Sequence, residues 1–164
     1  MPKIFTDPAR LAGRLDRLRD GGATIVLANG CFELLHVGHV RYLEAAKALG
    51  DVLVVAVNTD ASMRLIKPDR RPVNPDRERL EIIAALGAVD FVVPLADRTP
   101  AGLIELFRPH VQAKGSDYRL DQIPERFLVQ SYGGRVELVG GPKRRSTTDM
   151  LRSIRVEAPA GAGA

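Results

Sequence analysis

Apolar residues along the chain follow two alternating rhythms. Short unbroken runs occur at Thr24-Ile25-Val26-Leu27-Ala28, Asp51 to Val57, Val89 to Leu95, His110-Val111-Gln112-Ala113 and Arg135 to Val139. Runs of this length, rich in β-branched residues, predict strands buried on both faces. Between them, apolar residues recur every three or four positions, as on one face of a helix. Residues 7–20 carry Leu11, Leu15 and Leu18, with Asp7-Pro8 at the start and Gly21-Gly22 at the end. Val40, Leu43, Ala46 and Leu49 precede Gly50, and Leu80, Ile83 and Leu86 lie between Asn74-Pro75, read as cap and first residue, and Gly87. Thr99-Pro100 opens a helix with Leu103, Ile104 and Phe107; another covers about 121–132 before Gly133-Gly134. A last one carries Met150, Leu151 and Ile154. The polar stretch after Asp60, reaching Val73 with Arg64, Lys67, Arg70 and Arg71, reads as a long loop.

Strand and helix thus alternate five times. The fold class predicted is α/β, a Rossmann-like doubly wound five-stranded parallel sheet in one domain, with right-handed crossovers. Residues 1–22 form an N-terminal helix packing on the core, 23–155 the domain itself, and 156–164 a disordered Ala/Gly-rich tail.

Composition narrows the function classes. A length of 164 residues with 45% hydrophobic and 27% charged residues suits one soluble domain. No apolar run approaches the ~20 residues that span a bilayer, and the N-terminus lacks the regions of a signal peptide. Cys31 has no second cysteine to pair with, so it reads as a small buried hydrophobe, and the default address is the cytoplasm. A net charge of +4 suits small anions, whereas 5% aromatics leaves few stacking platforms for nucleic acid. No membrane and no nucleic-acid partner is expected. A basic run at Lys143-Arg144-Arg145 is the one feature favouring nucleic acid, and reads otherwise as solvated charge.

Four strands end in polar clusters: Asn29-Gly30, Asn58-Thr59-Asp60, Lys114-Gly115-Ser116-Asp117 and Arg145-Ser146-Thr147-Thr148. In a parallel sheet these ends share one edge, where open α/β folds bind ligands. His36-Val37-Gly38-His39 sits where the first strand hands over to a helix. Two histidines at that spacing read in three ways: hydrogen-bonded residues of a helix start, metal ligands, or phosphate contacts. No third ligand stands at a zinc-like spacing, and helix starts favour anions. Phosphate contact is therefore preferred. Arg145, Ser146, Thr147 and Thr148 read either as an N-cap behind a basic loop or as an anion-binding helix start. No Gly-x-x-x-x-Gly-Lys-Ser/Thr loop, Gly-x-Gly-x-x-Gly after the first strand or Gly-x-Ser-x-Gly elbow occurs, which disfavours kinase, dehydrogenase and hydrolase.

The string Ala28-Asn29-Gly30-Cys31-Phe32-Glu33-Leu34-Leu35-His36-Val37-Gly38-His39-Val40 resembles the HxGH nucleotidyltransferases of the cytidylyltransferase type. Within them it is most similar to the heptose 1-phosphate adenylyltransferase domain. Lys114-Gly115-Ser116-Asp117-Tyr118, Arg71-Pro72-Val73-Asn74-Pro75 and Ser146-Thr147-Thr148 extend the likeness over about 23–155. The resemblance implies catalytic roles for His36, His39 and Lys114. It implies nucleotide contacts at Asn29, Gly30, Cys31, Phe32, Gly38, Arg79, Gly115, Asp117, Arg145, Ser146, Thr147 and Thr148. Gly38 would let the chain pass close to the triphosphate, and Arg79 reads alternatively as a solvent-facing helix arginine. Asn58, Asp60 and Lys67 would meet the acceptor, with no resident metal site and Mg²⁺ arriving with ATP. Glu33, Pro68 and Ser116 depart from the family pattern, which has Asp, Gly and Gly there.

The activity implied is transfer of AMP from ATP to a heptose 1-phosphate, for lipopolysaccharide or surface-glycan precursors, after a separate upstream sugar kinase. A homo-oligomer is compatible with this reading. Rival readings are a cytidylyltransferase using CTP and a polyol or aminoalcohol phosphate, a non-catalytic nucleotide sensor, and a nucleic-acid module.

Overall fold

A computed structural model describes residues 3–66 and 72–141. Helix α1 (Pro8–Asp20) begins where the Asp7 carboxylate accepts the Ala9 N–H at 2.9 Å, with Pro8 in the first turn. Strand β1 (Ile25–Gly30) leads to α2 (Val37–Lys47) and β2 (Val52–Asn58). Two further helices, α3 (Asp60–Ile66) and α4 (Asp76–Ala84), precede β3 (Phe91–Leu95). Then follow α5 (Ala101–Phe107), β4 (Val111–Gly115), a 3₁₀ turn (Leu120–Gln122), α6 (Arg126–Ser131) and β5 (Arg135–Val139).

The five strands form one parallel sheet in the order β3-β2-β1-β4-β5. This is the doubly wound α/β architecture expected from the alternation of runs. On one face, Leu11 and Leu15 of α1, Ile104 and Phe107 of α5 and Val129 of α6 bury against Leu27, Val54 and Val93. On the other, Leu43 and Ala46 of α2 and Leu80 and Ile83 of α4 bury against Val26, Val55 and Val92. Each such leucine, taken fully out of water, contributes about 1.5–3 kcal/mol of transfer free energy. The chain leaves β1 toward β2 and β3 on the α2/α4 face, and reaches β4 and β5 on the other. The winding therefore reverses between β1 and β4, and a crevice opens at the C-terminal ends of those two strands.

Three elements differ from expectation. Part of the polar stretch after β2 is helical: α3 is pinned by the Ser62 hydroxyl donating to the Leu95 carbonyl at 2.9 Å, and Thr59 Oγ1 accepts the Ser62 N–H at 3.2 Å. Helix α4 starts one residue late, at Asp76, because the Asn74 amide donates to the Glu33 carbonyl at 3.3 Å instead of capping. The single helix expected over 121–132 is split into the 3₁₀ turn and α6. Pro124 lies in the gap, where its missing N–H stops a continuous ladder.

The two rims of the sheet are unlike. Beyond β3, Ile4 forms a parallel bridge to Val92, with Phe5 N–H donating to Val92 O and Val92 N–H to Lys3 O, both at 2.8 Å. Beyond β5 no further strand pairs among the described residues, and its side chains include the Arg135–Glu137 ion pair at 3.0 Å.

Candidate active site

The His-x-x-His segment builds its own helix start. His36 is the N-cap of α2, with extended backbone, and its Nδ1 accepts the Gly38 N–H at 3.1 Å. His39 reaches back so that its Nδ1 accepts the His36 N–H at 3.4 Å. The pair is thus a capping box made of imidazoles. The rings stack at 3.9 Å between centroids and 25° between planes. A ring nitrogen that accepts a backbone N–H carries no proton, so these bonds assign the proton of each neutral ring to Nε2. Both rings therefore present Nε2–H donors, which suits anionic oxygens and not a cation, whose ligand nitrogen must be bare.

Gly38 is required by this arrangement in a way the sequence did not show. A Cβ there would sit 2.9 Å from both Cε1 and Nδ1 of His36. The residue thus leaves room for an imidazole from its own chain. Phe32 supports the pair from beneath: it is buried, adopts a left-handed φ of 46°, and meets His39 edge-on at 5.3 Å. Gly30 lies against the Phe32 ring, which a Cβ would approach to 3.1 Å.

Across the crevice, β4 contributes Lys114. Its Nζ donates to Asn29 Oδ1 on β1 at 2.9 Å, lies 4.0 Å from the Glu125 carboxylate, and faces the Tyr118 ring at 5.9 Å. Lys114 is only 8% exposed, and burial lowers its pKa below the ordinary lysine value while Glu125 pulls it back up. Glu125 was missed by sequence reasoning, because nothing in its spacing shows that a 3₁₀ turn folds it toward the sheet. Tyr42, one turn after His39, donates its hydroxyl to the Ala113 carbonyl at 2.9 Å and so ties α2 to the strand bearing Lys114. Burial raises the Tyr42 pKa, so it stays a donor.

Beyond β4, Gly115 makes room for the Asp117 carboxylate, whose Oδ1 would lie 2.5 Å from a Cβ at 115. The exposed Asp117 and Tyr118 stand close enough to Tyr42 to act on its hydroxyl electrostatically. Ser116 hydrogen-bonds through its hydroxyl to the Gly141 carbonyl, joining the exits of β4 and β5. Gly140, at φ 99°, lies against Tyr42, where a Cβ would meet the Tyr42 Cα at 3.1 Å. The chain therefore leaves β5 directly over α2.

Arg79, Asn58, Asp60 and Cys31 form a network at the ends of β1 and β2, with Arg79 and Asn58 buried and Asp60 and Cys31 half-buried. Arg79 is fully buried, so the solvent-facing alternative is excluded. Its Nη1 donates to the carbonyls of Cys31 at 2.6 Å and Asn58 at 2.7 Å. Nη2 meets the Asp60 carboxylate at 2.8 Å, and Nε donates to the Asn74 carbonyl at 3.0 Å. The Asn58 amide donates to Ser62 Oγ at 3.0 Å and accepts from Cys31 Sγ at 3.8 Å. Glu33 is buried too, its carboxylate accepting the Val73 N–H at 3.0 Å. The longer side chain that departs from the family pattern thus anchors the segment entering α4. The structure gathers His36, His39, Gly38, Asn29 and Lys114 at the switch point, with Asp117 beside it. It places Arg79 and Asn58 behind the site. Lys67, Arg145, Ser146, Thr147, Thr148, the last helix and the tail lie outside the described residues. Among the described residues no cluster of three or more His, Cys, Asp and Glu could hold a metal.

Comparison with known proteins places this arrangement. The curated relatives it matches include the bifunctional protein HldE of Geobacter sulfurreducens, 49% identical over 88% of this chain and 29% of the relative. They also include HldE of Azotobacter vinelandii, 47% identical over 82% of this chain and 28% of the relative. The chain thus spans under a third of these relatives' length. A lipopolysaccharide core biosynthesis protein from Thermoplasma volcanium superposes with a TM-score of 0.63 at 29% identity, covering 76% of this chain and all of that one. The cytidylyltransferase-like family model matches residues 27–151, from within β1 through both halves of the crevice, and the chain belongs to that family.

Proposed function

We propose that the chain is a nucleotidyltransferase that transfers AMP from ATP to a heptose 1-phosphate, releasing pyrophosphate and ADP-heptose for lipopolysaccharide or surface-glycan synthesis. The observation that carries the chemistry is the pair of imidazoles whose Nδ1 atoms cap the start of α2, at the same sheet edge as the buried Lys114 ammonium held by Asn29. The similarity to HldE over most of the chain supports the adenylyl donor and the heptose acceptor.

A phosphate oxygen of the sugar 1-phosphate attacks the α-phosphorus. The bond from that phosphorus to the bridging oxygen breaks, and pyrophosphate leaves with the electron pair. The acceptor is already ionised at neutral pH, so no side chain need remove a proton. What the protein supplies is alignment and compensation of developing negative charge. His36 and His39 donate to phosphate oxygens from a preset geometry, and the N-terminal dipole of α2 adds to their effect. Lys114, held by Asn29, neutralises charge from the other side. Mg²⁺, entering on the nucleotide, would neutralise phosphate charge. The donor character of both imidazoles fits a cation carried by phosphate and water better than one held by the protein. By the family resemblance, Arg145, Ser146, Thr147 and Thr148 would hold phosphates, and Lys67 would meet the incoming acceptor phosphate. A sugar kinase activity would supply that acceptor, and the reaction runs in the cytoplasm. No described helix is long and apolar enough to cross a membrane.

Pyrophosphate release, measured with ATP or CTP against heptose 1-phosphate and glycerol 3-phosphate, tests the reading. Release only with ATP and the heptose supports it; a preference for CTP and the polyol phosphate overturns the substrate assignment, and no release with any pair overturns the enzyme. His39→Ala is expected to lower the rate ~100- to 1,000-fold, the usual effect of losing one preorganised donor.

A further inference from the structure

At the opposite end of the sheet lies a cavity of about 250 Å³, lined by Arg19, Arg108, His110 and Tyr132 with the Gly133-Gly134 turn. It sits at the N-terminal ends of β1, β4 and β5: His110 precedes Val111, Gly134 precedes Arg135, and the Ile25 N–H donates to His110 Nδ1 at 2.9 Å. Strands of five or six residues at ~3.3 Å per residue put it ~15–20 Å from the crevice. The volume is below the ~300 Å³ at which pockets begin to hold drug-sized ligands. We propose that this cavity binds a small, multiply charged oxyanion of the phosphate class.

Every polar side chain lining it is a cation or a donor, and none is a carboxylate. Because His110 Nδ1 accepts from Ile25, the neutral ring carries its proton on Nε2 and is a further donor. Burial and the positive charges of Arg19 and Arg135 lower the His110 pKa, so the surroundings are electropositive. Arg19 spends part of its charge on Asp16 at 2.5 Å and on the Phe107 and Arg108 carbonyls. Arg108 is different. Its guanidinium lies 5.3 Å over the Tyr132 ring and makes no ion pair among the described residues. Its backbone holds a left-handed φ of 45° at the end of α5, a place glycine usually takes.

The Tyr132 hydroxyl is the second independent sign. It is buried and has no hydrogen-bond partner among the described residues. A buried donor left unpaired costs about 1–3 kcal/mol, which an anionic oxygen would recover once a small shift of the Tyr132 ring opens its hydroxyl to the cavity that the residue lines. Burial also pushes the Tyr132 pKa up to about 12, against the pull of Arg108 and Arg19, so the phenol keeps its proton to donate. Paired guanidinium, imidazole and phenol donors are the groups that recognise phosphate oxygens.

The chain has three histidines, so the imidazole ¹⁵N resonances of His110 can be assigned with His110→Asn. Sodium phosphate and sodium pyrophosphate are titrated into the His39→Ala protein, in which binding at the crevice is weakened, against sodium chloride at matched ionic strength. Saturable movement of the His110 signal with either phosphate is expected, weakened roughly 10- to 100-fold by Arg108→Gln. Tyr132→Phe is expected to weaken binding while leaving the free protein as stable or more so, a pairing that a merely structural tyrosine would not show. The proposal is overturned if neither anion moves the signal further than chloride does, or if Arg108→Gln leaves the titration unchanged. Neither outcome bears on pyrophosphate release at the crevice.

Discussion

His36 and His39 turn their Nδ1 atoms onto the start of their own helix, and Gly38 is the space that lets His36 do so. Gly38→Ala therefore separates stability from activity. The clash, at 2.9 Å, is with a side chain that can swing away, so the protein is expected to stay folded in thermal melts. The displaced His36 ring gives up its aim, and the rate of pyrophosphate release should drop ~10- to 100-fold. In the sequence alone, the glycine reads as making room for the ligand. A side chain folding back over its own helix start leaves no mark in residue spacing.

Lys114 carries a pH consequence. Burial disfavours its ammonium, so the proton leaves at a lower pH than the ordinary 10.5. Activity that needs the charge is complete below that lowered value and falls as pH rises through it. The alkaline limb of kcat/KM, which reports the free enzyme, should thus lie below pH 10.5. Glu125 favours the charged form, so Glu125→Gln should move the limb further down; an upward move would remove Glu125 from this role.

Among elements, the junction of β1, β2, α3 and α4 hangs on one guanidinium. Arg79 satisfies the carbonyls of Cys31, Asn58 and Asn74 together with the Asp60 carboxylate. Arg79→Met would leave that carboxylate and three carbonyls facing an apolar stem. A loss of about 3–5 kcal/mol is expected in denaturant unfolding, as when one partner of a buried pair is removed. The sequence shows Arg79 as one position of an amphipathic helix, and its partners lie on three other segments. Burial of such a residue is legible only once those segments meet. Helix α3 is illegible in the sequence for a related reason: hydroxyl bonds at Thr59 and Ser62 stabilise a turn within a polar stretch that reads as a loop. The break before α6, by contrast, was written in the chain at Pro124.

At the scale of the molecule, the parallel sheet was readable because buried strands must be unbroken apolar runs, and only one edge can collect their C-terminal polar residues. The exception inside the sheet is Gln112 on β4, fully buried between Leu27 and Val136, with neither amide atom hydrogen-bonded among the described residues. An unsatisfied buried amide costs about 1–3 kcal/mol, so Gln112→Met, of similar volume, should raise stability by that order. The melting temperature should rise ~2–4 °C per kcal/mol. A fall would show that the amide has a partner in solution, such as an ordered water.

The unlike margins of the sheet carry one last implication. Backbone groups at the end of a ribbon are sticky toward any extended polypeptide, including another copy of the same one. Here one margin is already occupied by the polypeptide's own first residues, and the other displays adjacent opposite charges on alternate positions. Growth by strand addition is thus hindered on the first side where the chain already pairs with Val92 and, among the described residues, discouraged on the second by the hydration of Arg135 and Glu137, which a docking neighbour would have to strip away.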